Sequence, residues 1–192
     1  MNKYNAASLM ALSMIRKLLS LLYIMVFISP LLSSAWVSAL EIKSQYAVIS
    51  YANDDMIQTL NSRLFLSRFK YLMKEKRPMT VEEEVIDKID LITVKVEEIL
   101  EMFPPNLQYS LSLCENMDQV KENFVTLHQR EWKRPGFYSP INDTVYLSVR
   151  HAKVNVVAHE VGHVVVEKYF KVRPPVKIHE ILAQFAEKHI TD

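Results

Sequence analysis

The spacing of apolar positions changes several times along the chain, and each change marks an element. Gln45 to Tyr51 (QYAVISY) is rich in β-branched and aromatic residues and stops at Asn53-Asp54-Asp55, which predicts a short strand running into a helix cap. Met56, Leu60, Leu64, Phe65, Phe69, Leu72 and Met73 then keep helical spacing, so a helix is expected to about Lys74, with Arg63, Arg68, Lys70 and Lys74 on its solvated face. Thr80 followed by Glu83 forms a capping box, and Val85, Ile89, Ile92, Val96, Ile99 and Phe103 hold one helical face until Pro104-Pro105 stops it. Leu107, Tyr109, Leu111 and Leu113 alternate with Gln108, Ser110 and Ser112, the pattern of a strand buried on one side. Asn116 caps a helix from Met117 to about Arg130, and Gly136 to Ile141 with Thr144 to Val149 read as a hairpin around Asn142-Asp143. Two helices close the chain, His151 to about Phe170 and Val176 to about Ile190, with Pro174-Pro175 between them. Short strands interleaved with long helices predict one α+β domain, a small and mostly antiparallel sheet packed on helices.

The first 39 residues differ in kind. Lys3, Arg16 and Lys17 precede an uncharged run, and Val37-Ser38-Ala39 has the small-x-small form of a cleavage site, so residues 1–39 read as a signal peptide and 40–192 as an exported domain, periplasmic or secreted. The alternative is an uncleaved anchor, since the stretch without charge from Leu18 to Leu40 exceeds the roughly 20 residues a membrane span needs. With the segment removed, 20 basic residues face 22 acidic ones. Such a balance gives no field to attract nucleic acid. Only Gly136 and Gly162 are glycines, which excludes glycine-rich phosphate loops. Cys114 is the only cysteine; no intramolecular disulfide can form, and in an oxidising compartment it is expected to be shielded.

The chemistry is concentrated near the C-terminus, where His159-Glu160-Val161-Gly162-His163 spells H-E-x-x-H. On a helix, side chains four apart lie one turn above each other, about 6 Å between Cβ atoms, so two imidazoles can take two corners of a zinc tetrahedron. On a strand they would stand about 13 Å apart. The run of valines around the motif favours a strand by propensity, but its length, its interruption by Ala158 and Gly162 and its lack of alternation favour a buried helix. Glu160 projects beside the two histidines, where a base for metal-activated water belongs.

A third ligand follows by elimination. Glu167 stands two turns from His159, too far to close one tetrahedron, and is left to support or solvent. Val166 and Tyr169 occupy the positions where a metzincin carries Gly and His, which excludes that class. His179 and Glu180 remain, in the first turns of the last helix. Ile178, Ile181, Leu182 and Phe185 are read as that helix's packed face, with Glu180, Ala183, Gln184 and Glu187 as a second stripe. Ala183 in that stripe would permit close approach of the histidine-bearing helix, which favours Glu180 over His179. His151 and His189 are expected at the surface or at helix ends, and His128 partly buried.

HEVGH, sixteen residues and then Glu180 within PPVKIHEILAQFAE resembles the gluzincin metallopeptidases, in particular the small peptidase-MA-like group. FYSPINDTVYLS is also similar to the strand before the zinc helix in that group, so the likeness covers about residues 107–190. The chain departs from the pattern at Lys177, in place of an aromatic residue, at Ile181, in place of Gly, and at Gln184, where thermolysin-like enzymes keep an aspartate that orients a zinc-bound histidine. The resemblance implies a zincin-like fold with the H-E-x-x-H helix central, Zn2+ held by His159, His163 and Glu180, and Glu160 as general base. The function so implied is hydrolysis of peptide or protein substrates, with Thr144 to Val149 offering an edge for an extended substrate. A non-catalytic zinc-binding module and a membrane-tethered accessory protein are the rival readings.

Overall fold

The computed structural model describes residues 39–66 and 79–191, with isolated positions 14, 16 and 17 near the N-terminus. Apart from those positions and Ala39, segment 1–39, as signal or as anchor, lies outside the described residues. No helix among the described residues is long and apolar enough to cross a membrane.

The strands are β1 (Leu40–Lys43), β2 (Ala47–Tyr51), β3 (Tyr109–Cys114), β4 (Gly136–Ser139) and β5 (Thr144–Ser148). The helices are α1 (Asp54–Arg63), α2 (Val81–Leu100), α3 (Met117–His128), α4 (Val154–Tyr169) and α5 (Val176–His189). Side-chain caps set the starts of three of these helices. Asn53 accepts a hydrogen bond from the Met56 N–H at 3.1 Å and starts α1, while Asn116 accepts from Asp118 and Gln119 and starts α3. At α2 the Thr80 hydroxyl accepts from Glu83 N–H at 3.2 Å, one half of the capping box, while the Glu83 carboxylate accepts from the N–H of Met79, one residue before the cap, at 2.6 Å. Helix α1 ends at Arg63, shorter than its periodicity predicts. Leu64 and Leu66 leave the helix yet are buried, and the continuation expected through Lys74 lies beyond residue 66, outside the described residues.

The sheet order is β1-β2-β3-β5-β4. β1 with β2 and β4 with β5 pair antiparallel, whereas β2 with β3 and β3 with β5 pair parallel. The sheet is therefore mixed, which corrects the expectation of a mostly antiparallel one. The physical reason is the connections: α1 and α2 separate β2 from β3, and α3 with β4 separates β3 from β5, lengths that carry the chain back to the same end of the sheet. β5 consequently lies inside the sheet, and the edge beside the helices of the motif is β4, not Thr144 to Val149. Strand alternation sorts the two faces. Leu111, Leu113, Val145 and Leu147 join the main core with α1, α2 and α4, while Phe137 and Cys114 pack beneath α3 with Phe124, Trp132 and Tyr146.

Candidate metal centre

Helix α4 buries ten of its residues, Val154, Val157 and Ala158 through Gly162 and Val164 through Val166. A helix apolar on nearly every side has to be central, and α4 lies between α5, α2 and the β4–β5 end of the sheet. His159, Glu160 and His163 project from it. The Pro174-Pro175 turn folds α5 back across α4, and the crossing is tight at Gly162, where an added Cβ would lie 3.1 Å from Ala183 Cα. This closeness determines which face of α5 turns inward. His179, Ala183 and Ala186 are buried, while Ile178, Ile181 and Phe185 are 43%, 50% and 47% exposed. Of the predicted packed face only Leu182 packs against the core; the other three face outward, because only alanines fit against Gly162, and Ala183 does allow the close approach.

The inward stripe delivers Glu180 to the two histidines. Glu180 Oε1 lies 3.7 Å from His159 Nε2 and Oε2 lies 3.6 Å from His163 Nε2. One ligand atom from each of the three residues falls within 4.8 Å of the others. Two imidazole nitrogens and a carboxylate form a donor set that suits zinc, and their mutual spacing fits one ion between them. The opposite ring atoms are held as well. His159 Nδ1 sits 2.9 Å from Glu187 Oε2, and His163 Nδ1 sits 3.3 Å from His179 Nδ1. Nδ1–H directed at Glu187 leaves Nε2 of His159 free to coordinate. His179 is not among the three ligands. Its Nε2 lies 3.1 Å from Glu167 Oε2, off the line of an aligned hydrogen bond, so Glu167 supports His179 and contacts none of the three directly.

Arg134, which carries no motif, enters from the segment before β4 and donates to Glu180 Oε1 at 2.8 Å; Gln184 donates to the same oxygen at 3.1 Å. Burial pushes the Glu180 carboxyl upward, but these two hydrogen bonds outweigh it and hold the group below its ordinary range. Glu160 is 4% exposed, and burial pushes it up to about 8 against the opposing pull of Arg134. Burial, with His159 alongside, depresses His163 to about 3, so its imidazole is neutral and able to ligate. Arg134, His159, Glu160, Glu180 and Glu187 line a pocket of about 300 Å³. The remaining histidines stand apart: His151 is exposed with Nδ1 3.0 Å from Ser148 Oγ, and His128 packs on Phe124. Tyr138 donates to Asp143 at 2.9 Å, and Tyr169 is 47% exposed beside Phe170.

Compared with protein-family models, with curated proteins and with solved structures, the chain matches none.

Proposed function

We propose that the protein is a zinc-dependent metallopeptidase of gluzincin type, exported behind its N-terminal segment and acting on peptide or protein substrates. The observation that carries this reading is the convergence of His159, His163 and Glu180 from two crossed helices, with Glu160 on the same pocket wall. Zinc at such a site supplies a Lewis acid that polarises a carbonyl and makes water acidic enough to ionise near neutral pH. The chain's residues then have distinct tasks. His159 and His163 present Nε2, oriented through Nδ1 by Glu187 and His179. Glu180 completes the set and is held by Arg134 and Gln184. Glu160 accepts a proton from the attacking water and passes it to the leaving amine. Arg134 places a guanidinium at the pocket wall beside the ligands, where it can hold substrate carbonyl or carboxylate oxygens.

The test combines metal analysis with hydrolysis. The purified protein should hold one zinc and cleave an unstructured protein substrate in a chelator-sensitive way. His163→Ala and Glu180→Ala should lose most of the metal, whereas Glu160→Gln should keep it and hydrolyse nothing. Full zinc content in both ligand variants would remove the site. Zinc bound without hydrolysis under any condition would leave a metal-binding module.

A further inference from the structure

A second cavity, of about 500 Å³, lies at the starts of the parallel strands β2 and β3. The candidate metal centre is at the other end of the strands, where Pro135 meets the end of β5. Gln45 and Tyr46 before β2, Glu97 in the last turn of α2, Phe103 beyond it, and Asn106 and Gln108 on the way into β3 line the cavity.

Glu97 is the feature that the fold leaves unexplained. It is 8% exposed, and its carboxylate has no hydrogen-bonding or ionic partner among the described residues. Its acidic neighbours are engaged: Glu98 pairs with Lys95 at 2.6 Å, and Asp90 accepts from the backbone N–H groups of Gln45 and Tyr46. The carboxylate opens on the cavity, and burial of the residue around it pushes Glu97 above its ordinary range. The surroundings are suited to positive charge. A 20-residue helix ends here with no basic residue in its last turn, so its negative pole is unopposed. None of the residues lining the cavity is basic. Tyr46 and Phe103 provide rings over which a cation is attracted, and Gln45, Asn106 and Gln108 provide amide oxygens that accept N–H. Phe103 is 63% exposed, an apolar surface at the cavity that an alkyl stem would cover.

We propose that this cavity binds an organic cation, an alkylammonium or guanidinium group, whose charge pairs with Glu97 and whose stem lies along Tyr46 and Phe103. A small amine and a Lys or Arg side chain of a polypeptide offer the same chemistry. A bare divalent ion does not fit: one carboxylate among neutral amides lacks the several charged oxygens that calcium or magnesium takes from protein. The inference does not depend on the metallopeptidase reading, and the experiment is unaffected if that reading fails.

The full-length protein, at neutral pH and with chelator present, is titrated with n-butylguanidinium, n-butylammonium and neutral n-butanol, following the NMR amide signals of Tyr46, Asn106 and Gln108. Both cations should bind saturably and butanol should not. Glu97→Gln should weaken the cations about tenfold or more, because a charge-assisted pair becomes a neutral one. Phe103→Ala, at an exposed position that the fold does not need, should weaken them several-fold. A blocked arginine amide that binds more tightly than butylguanidinium assigns the site to polypeptide side chains; equal or weaker binding assigns it to small amines. The proposal is overturned if neither cation saturates, if butanol binds as well as they do, or if a folded Glu97→Gln binds undiminished. Should Glu97→Gln not fold, undiminished binding by Phe103→Ala overturns it instead.

Discussion

Glu187 and His179 grip the Nδ1 atoms of His159 and His163, and this leaves both Nε2 atoms turned toward Glu180. Supports of this kind fix the tautomer and aim of a ligating imidazole, and their loss costs about 10–100-fold in metal affinity. Glu187→Ala is therefore expected to weaken zinc within that range, and Glu187→Gln, which keeps an acceptor, by less; competition against a chromophoric chelator measures both. Glu160 allows a second prediction at this scale. Burial raises its folded pKa to about 8 from an ordinary 4.5. The folded protein so keeps a proton that the unfolded chain releases, and the stability from this group, fully present below 4.5, is lost as pH rises to about 8. Glutamine does not titrate. In chelator, the melting temperature of Glu160→Gln minus that of the parent should climb between those pH values, and a flat difference would mean that the carboxyl is ionised when folded. The motif residues are legible in the sequence, whereas the groups that hold them are not, for concrete reasons. Gln184, four past Glu180, stands where the resemblance expects the group that orients a histidine, but it holds Glu180, while Glu187, a further turn along the same stripe, takes the histidine. Arg134 reaches Glu180 across 46 residues of sequence, and no local pattern encodes such a contact.

The pairing of α4 with α5 gives the site its geometry, and Gly162 is where that pairing is tightest. A larger side chain there meets backbone rather than a movable side-chain tip. Gly162→Val should destabilise the domain by about 1–3 kcal/mol through overpacking, read from urea unfolding. Because Glu180 rides on α5, the same change should weaken zinc binding, whereas a surface change such as Lys177→Ala should leave both unaltered. Gly136 plays a like part in β4: an added Cβ would approach Glu160 Cγ to 3.2 Å and the Tyr146 carbonyl to 3.1 Å. Element positions were readable because caps and periodicity agreed at α2, α3 and the β4–β5 hairpin. The inner face of α5 was not. Ile178, Ile181 and Phe185 form the larger apolar stripe, and hydrophobicity alone turns it inward; the close helix approach permitted by Gly162, Ala183 and Ala186 reverses that choice.

For the whole molecule, the strand order depends on how two long helical connections fold back, a property of the assembled core that no single segment states. The same assembly supplies a reporter of its own opening. Cys114 ends β3, a strand flanked by β2 and β5, and is 2% exposed, with burial pushing its thiol up to about 11. Both burial and protonation suppress its reactivity at neutral pH, so a thiol reagent should modify it only when the structure opens. If reaching Cys114 requires the sheet to come apart, the opening also separates α4 from α5 and scatters His159, His163 and Glu180. Anything that binds only the assembled site then slows labelling by the factor 1 + [L]/Kd, about 1,000-fold at a thousand times Kd. Labelling of the native protein is expected to be slow in chelator and slower in proportion to added zinc, with His163→Ala showing no such response. A rate indifferent to zinc in the parent protein would confine the opening to the small cluster beneath α3 and uncouple it from the candidate metal centre.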